Sequence, residues 1–167
     1  DSDESRGLGD VYKRQAVWGA LIPVCDNLED ALDRSLSYIP ADSDCAAAVK
    51  LARALVGQAD GGNSIRKHYP DMSVVHTVNN LALVVWALLS HPDDFSAAIG
   101  DVVAAGLDTD CNGATVGALW GLQDKTIPDF WSAPWGGNVG LSLAGTDTVN
   151  VAELIDRTVA VTVNLSE

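Results

Sequence analysis

Asp108, Asp110 and Asn112 alternate with single residues at the head of the stretch Gly106–Gly121, GLDTDCNGATVGALWG. Carboxylates two residues apart in a turn can converge on one hard cation, because oxygen donors suit magnesium, calcium or manganese. Cys111 lies beside the second carboxylate, and its thiol is a poor partner for magnesium, which prefers hard oxygen donors. Beyond Asn112 the chain becomes small and apolar, with Gly113, Gly117 and Gly121 recurring every fourth residue. That spacing predicts a helix with a glycine stripe along which a neighbouring helix can approach closely. The competing reading is structural: aspartates just before a helix accept its free N–H groups and favour the positive end of its dipole. Two carboxylates and an asparagine are more than one helix end uses. The dipole also disfavours a cation there, so a metal would need further negative ligands from elsewhere in the protein.

Asp108, Asp110, Asn112 and Gly113 also match the opening of an EF-hand loop, D-x-[DN]-x-[DN]-G. The rest of that loop is missing. Its ninth position is Val116 and its twelfth, which should be a bidentate Glu, is Leu119, so calcium would lack much of its set of oxygens. Nucleophile and phosphate motifs of the G-x-S-x-G and G-x-x-x-x-G-K-[ST] kinds are absent. His76 opens a helix beside Asn79 and Asn80 and reads as a cap or a packed imidazole. His68 and His91 have loop contexts without a carboxylate at ligand spacing, and Asp93 and Asp94, between Pro92 and Phe95, read as caps.

The elements that must position the aspartates are helical. Ala16–Cys25 reads as a helix limited by Pro23. Asn27 is expected to cap a helix with Leu28, Ala31, Leu32, Ser35 and Leu36 on one face. Asp42 or Ser43 caps the next, with Cys45, Ala48, Val49, Ala52 and Leu55 inward. Gly57–Asn63, GQADGGN, reads as a flexible loop before a short helix over Ser64–His68. Val78–Leu89 is apolar nearly all round, which predicts a central buried helix. Asp93 or Asp94 starts a helix over Phe95–Ala105 with Phe95, Ala98, Ile99, Val102 and Val103 inward. Ile127–Gly140, with Trp131 and Trp135, reads as an irregular surface segment on which an adenine could stack. Val149–Val161 predicts a last helix capped by Thr148 or Asn150, and the closing VAVTVNL alternates like a strand. One short run makes no sheet, so the fold class is all-α, a helical bundle.

Around the aspartates, the chain resembles the ADP-ribosylglycohydrolase family. The resemblance rests on Gly106-Leu107-Asp108-Thr109-Asp110 running into Asn112–Gly117, a G-x-D-T-D motif before a small-residue helix. Flanking pieces arrive in the family's order: SYIPADS (Ser37–Ser43), HTVNN (His76–Asn80), Asp94-Phe95, IPDFW (Ile127–Trp131) and ELIDRT (Glu153–Thr158). The resemblance spans Ala16 to Thr158. It implies an ADP-ribosylglycohydrolase-like bundle present as a partial domain, the C-terminal part, since no T-D-D-type cluster of the family's N-terminal half occurs. It also implies hydrolysis of the glycosidic bond linking ADP-ribose to an acceptor, with an ADP-ribosylated protein among the possible substrates. Asp108 and Asp110 would ligate part of a binuclear magnesium centre. The position after the second aspartate is often a ligating Thr or Ser in the family; here it is Cys111, which leaves the second metal open. Asn112 would hydrogen-bond substrate or cap the helix. The alternative from another class is a non-catalytic relative that binds ADP-ribose or serves structurally.

Composition limits the other readings. At 167 residues and 47% hydrophobic, the chain has ample material for one core, and a net charge of −13 argues against a nucleic-acid or anionic-membrane surface. Three cysteines, Cys25, Cys45 and Cys111, with no CxxC spacing fit reduced thiols and a cytoplasmic setting. Leu81–Leu89 is too short to cross a bilayer. Residues 1–15 are expected to be foreign to the domain, because GLGDVYKRQ (Gly7–Gln15) resembles translated sequencing-adapter sequence; the domain then runs over 16–167.

Overall fold

A computed structural model of the chain describes residues 15–164. The expectation of a foreign tail over residues 1–15 lies outside the described residues, apart from Gln15. The chain divides into two compact units, one ending at Thr126 and the other starting at Ile127.

In the first unit, residues 15–21 form α1, followed by a 3-10 turn over Ile22–Val24 that carries Pro23. The helices α2 (Leu28–Leu36), α3 (Asp44–Ala54), α4 (Gly61–His68), α5 (Thr77–Ser90), α6 (Phe95–Ala104) and α7 (Thr109–Gly121) follow. The starts of α2, α3, α5 and α6 are set by side chains that accept the first free N–H groups. Asn27 Oδ1 accepts from Asp30 N at 2.8 Å, Ser43 Oγ from Ala46 N at 3.2 Å, His76 Nδ1 from Val78 N at 3.3 Å and Asp94 Oδ1 from Ala97 N at 3.0 Å. His76 is therefore a cap, as its position suggests, and Asp94 is the cap of its pair; Asp93 pairs instead with Lys125 at 2.9 Å.

The core is built around α5. Every residue from Val78 to Leu88 is buried, and the helix packs against α3, α4, α6 and α7. Around it, α2 buries Leu28, Ala31, Leu32 and Ser35, and α3 buries Cys45, Ala48, Val49 and Ala52. Leu36, Leu55 and Ile99 are only half-buried and Val103 is exposed, so those four expected core positions lie at the margin.

The segment GQADGGN is not a loop throughout. Gly61 and Gly62 are buried in the first turn of α4, whose backbone lies on Trp86 of α5. A methyl group on Gly61 would fall 2.2 Å from Trp86 Nε1, and one on Gly62 would fall 2.7 Å from the Ala105 Cβ. Only glycine permits this approach, and tertiary contact overrides the loop-like composition. The glycine stripe of α7 shows the opposite. Gly113 would make ordinary contact with Val103 at 3.5 Å, but nothing lies within 4 Å of a methyl at Gly117 or Gly121 among the described residues. The helix packs on α5 and α6 and buries Asn112, Val116, Leu119 and Trp120, with Trp120 edge-on to Phe95 at 5.6 Å.

The second unit differs from the expected irregular segment. It holds a short helix, α8 (Asp129–Ser132), a 3-10 turn over Ala133–Trp135, and an antiparallel hairpin of β1 (Asn138–Leu143) and β2 (Thr146–Asn150). Asn138 pairs with Asn150 and Gly140 with Thr148, and Gly145, at φ +81°, supplies the left-handed residue of the Ala144-Gly145 turn. The signal was present as Val139, Leu141 and Leu143 alternating before Ala-Gly. Asn150 then caps α9 (Val151–Asn164) by accepting from Glu153 N at 3.2 Å. The strand-like alternation of the closing run is helical as far as Asn164. Apart from this hairpin, the described chain is helical and the all-α expectation holds.

Candidate metal centre

The link between α6 and α7 makes the site. Gly106 follows α6 at φ +82°, a left-handed stop that ends the helix. Leu107 follows at φ +62°, a conformation that costs a non-glycine residue on the order of 1–3 kcal/mol and persists only where surrounding contacts hold it. Asp108, at φ −86° and ψ 75°, then centres an inverse γ-turn closed by Thr109 N donating to Leu107 O at 3.1 Å.

That turn decides what the Asp108 carboxylate does. Asp108 occupies the N-cap position of α7, and its carbonyl accepts the first helical bond from Asn112 N at 2.9 Å. Its side chain makes no cap hydrogen bond. The capping residues Asn27 and Ser43 have extended backbones, with ψ of 171° and 153°; the γ-turn takes Asp108 away from that geometry. The structural reading of Asp108 as a cap thus fails at the side chain, and its carboxylate is left for other partners.

Those partners are adjacent. One ligand atom each from Asp108, Asp110 and Cys111 lies within 4.8 Å of the other two; Asp108 is half-buried, and Asp110 and Cys111 are exposed. A hydrogen bond with the Asp108 carboxyl, followed by the backbone N–H groups of Asp110 and Cys111, holds the Asp110 carboxyl below the usual carboxylate range. The Cys111 thiol is pushed up, first because Asp108 accepts its hydrogen bond and then because a thiolate would be repelled by that carboxylate. This corner therefore favours the charged form of the Asp110 carboxyl and the protonated form of the Cys111 thiol.

Asn80 of α5 holds the turn from below. Its Oδ1 accepts from Asp108 N at 3.1 Å and from Asn112 Nδ2 at 2.7 Å, while its Nδ2 donates to Val74 O and His76 O, each at 2.8 Å. The amide orientation follows from these four partners, since a flipped amide would set donors against donors. Asn112, expected as a substrate contact or a cap, is 3% exposed and commits its Nδ2 to Asn80. Asp108, Cys111 and Asn112 line one cavity of about 230 Å³ with Thr77, Asn80, Leu81 and Thr115. Thr77 Oγ1 is buried without a hydrogen-bond partner among the described residues.

All four expected site residues, Asp108, Asp110, Cys111 and Asn112, thus meet at one end of α7. Asn80 and Thr77 were missed; both lie in the HTVNN run, which carries no spacing rule pointing at the aspartates. His91 also has a partner the spacing did not reveal, Asp101 on α6, with Nε2 and Oδ2 2.7 Å apart. The EF-hand reading is excluded by geometry, because Val116 and Leu119, its ninth and twelfth positions, are buried inside α7.

The donor set fits a hard divalent cation at Asp108 and Asp110, where two carboxylates converge and one is not used by the helix. The model of the ADP-ribosylglycohydrolase family matches residues 9–162 of the chain. The chain belongs to the ADP-ribosylglycohydrolase family. No curated protein and no solved structure gave a match. ADP-ribosylglycohydrolases act on ADP-ribosylated substrates, and in this member the motif carrying the resemblance, Gly106–Asp110, is the strained turn at the head of α7. No described helix of the chain is long and apolar enough to cross a membrane.

Proposed function

We propose that this protein takes part in magnesium-dependent hydrolysis of the glycosidic bond joining ADP-ribose to an acceptor, with Asp108 and Asp110 as cation ligands. The observation that carries the reading is the convergence of these carboxylates, within 4.8 Å, beside a cavity and with the Asp108 side chain not used as a cap. A magnesium ion held there would supply positive charge to orient substrate oxygens and to stabilise charge that develops during bond cleavage. The chain's own residues set that environment. Asp110 is favoured in its charged form beside Asp108, and Asn80 and Asn112 fix the turn. Overall, the bond from the anomeric carbon to the acceptor breaks; the hydroxyl of water goes to the ribose and its proton to the acceptor.

Two carboxylates leave a magnesium ion short of its six oxygens, so further donors come from water, substrate or acidic residues beyond those described. Cys111 lies where an oxygen would serve a second magnesium, so the centre we propose is binuclear only if other residues complete it. On this basis the chain by itself turns over slowly or not at all. A cytoplasmic setting agrees with three cysteines unpaired with one another.

The test is release of free ADP-ribose from ADP-ribosyl-arginine and ADP-ribosyl-serine peptides, with magnesium and then with chelator. It uses this chain and the longest open reading frame that contains it. Release that needs magnesium and is lost in Asp108→Asn supports the proposal; release unchanged by chelator or by Asp108→Asn overturns it. The thiol at Cys111 favours a second reading, an ADP-ribose binder without turnover. That reading requires ADP-ribose affinity indifferent to magnesium and no release from either peptide.

A further inference from the structure

We infer that Asn80 is the positioning residue of this centre: it sets the Asp108 turn in its cation-binding shape before any cation arrives. The inference rests on the proposed role of Asp108 and Asp110 as ligands. Asn80 lies 28 residues before Asp108 and 32 before Asn112, and its one carbonyl oxygen ties both to α5. It is itself pinned from the other side, because its Nδ2 donates to the carbonyls of Val74 and His76 and its backbone N–H reaches Asn79 Oδ1 at 2.8 Å. At 7% exposure, all of this happens away from bulk water, where each bond is stronger and each loss dearer.

The consequence for the ligands is geometric. Leu107 is held at positive φ and Asp108 in a γ-turn, neither of which the chain prefers on its own. The bond from Asp108 N to Asn80 Oδ1 is a tertiary contact made by the backbone of that turn. With it, the Asp108 side chain stays off the end of α7; without it, the turn is free to relax to an extended N-cap in which the carboxylate accepts from the N–H groups of α7 and is lost to a cation. Asn80 touches neither cation nor substrate in this account. It acts through Asp108, as partners outside a metal's own ligand set do.

The experiment compares the wild-type chain with Asn80→Ala, which removes the oxygen that accepts from Asp108 and Asn112. Amide exchange by NMR without metal reads the turn directly. The Asp108 amide should be protected in the wild type and lose about tenfold or more of that protection in Asn80→Ala, while the amides of Leu83–Leu88 stay protected in both. Broadening of the Asp108–Asn112 resonances by manganese, used as the probe cation, reads affinity, which should fall by about 10–100-fold in Asn80→Ala. An Asp108 amide that exchanges freely in the wild type overturns the inference even if no variant folds, as does an Asn80→Ala protein with unchanged protection and unchanged manganese affinity. If the wild type is protected at Asp108 but binds no manganese, the ligand reading of Asp108 and Asp110 has failed and with it the role given to Asn80, although the hydrogen bond stands.

Discussion

Cys111 reports on the charge around it. Its thiol is exposed, yet it is pushed up because Asp108 accepts its hydrogen bond and because a thiolate would sit against two carboxylates. A raised thiol holds less thiolate at a given pH, and thiolate is the species that alkylates. At pH 8 Cys111 should therefore react with iodoacetamide more slowly than in the urea-unfolded chain, and Asp108→Asn should speed it by removing the leading cause. Site-resolved mass spectrometry separates it from half-buried Cys25 and from buried Cys45; equal rates for Cys111 in folded and unfolded chains would contradict the geometry. At this scale Asp108, Asp110, Cys111 and Asn112 were legible because they lie within five consecutive positions, and a local turn brings them together. Asn80, Thr77 and the His91–Asp101 pair were not. Their partners lie 10 to 32 residues away or are lacking, and no periodicity states which polar atom meets which across a packed core.

The helices separate two kinds of glycine that look alike in sequence. Gly61 and Gly62 come from a stretch that reads as a loop, yet they let α4 lie on Trp86, whose Nε1 donates to Leu55 O at 3.1 Å. Gly113, Gly117 and Gly121 read as a packing stripe, yet Gly117 and Gly121 meet nothing within 4 Å among the described residues. Gly61→Ala should thus push Trp86 off its bond and destabilise the first unit by about 1–3 kcal/mol, the usual cost of overpacking. Gly117→Ala, in a helix interior with open space beside it, should stabilise by about 0.5–1 kcal/mol through helix propensity. Urea unfolding followed by far-UV circular dichroism measures both, and destabilisation by Gly117→Ala would mean that α7 does pack along its glycines. The caps at Asn27, Ser43, His76 and Asp94 were readable because capping is local chemistry. Which glycine faces a tryptophan depends on where α5 runs.

Across the whole molecule, a net charge of −13 makes the folded chain repel itself, and Asp108 beside Asp110 repeats that problem locally. Any salt should therefore raise the melting temperature by screening. A bound divalent cation does something different, since it stabilises the folded state by mass action and in proportion to its own affinity. Magnesium should raise the melting temperature beyond sodium chloride of equal ionic strength, and the excess should grow with the logarithm of magnesium concentration once the site begins to fill. Asp108→Asn separates the two effects. Without magnesium it should melt at or above the wild type, because one of two repelling carboxylates is gone, and with magnesium it should show only the screening seen with sodium. Residues placed for a ligand commonly leave the empty protein less stable than it could be, and the sign of the change without magnesium tests that at Asp108. If magnesium and sodium act alike on the wild type, the convergence of Asp108 and Asp110 holds no cation in this chain and the acidity serves the molecule only as charge.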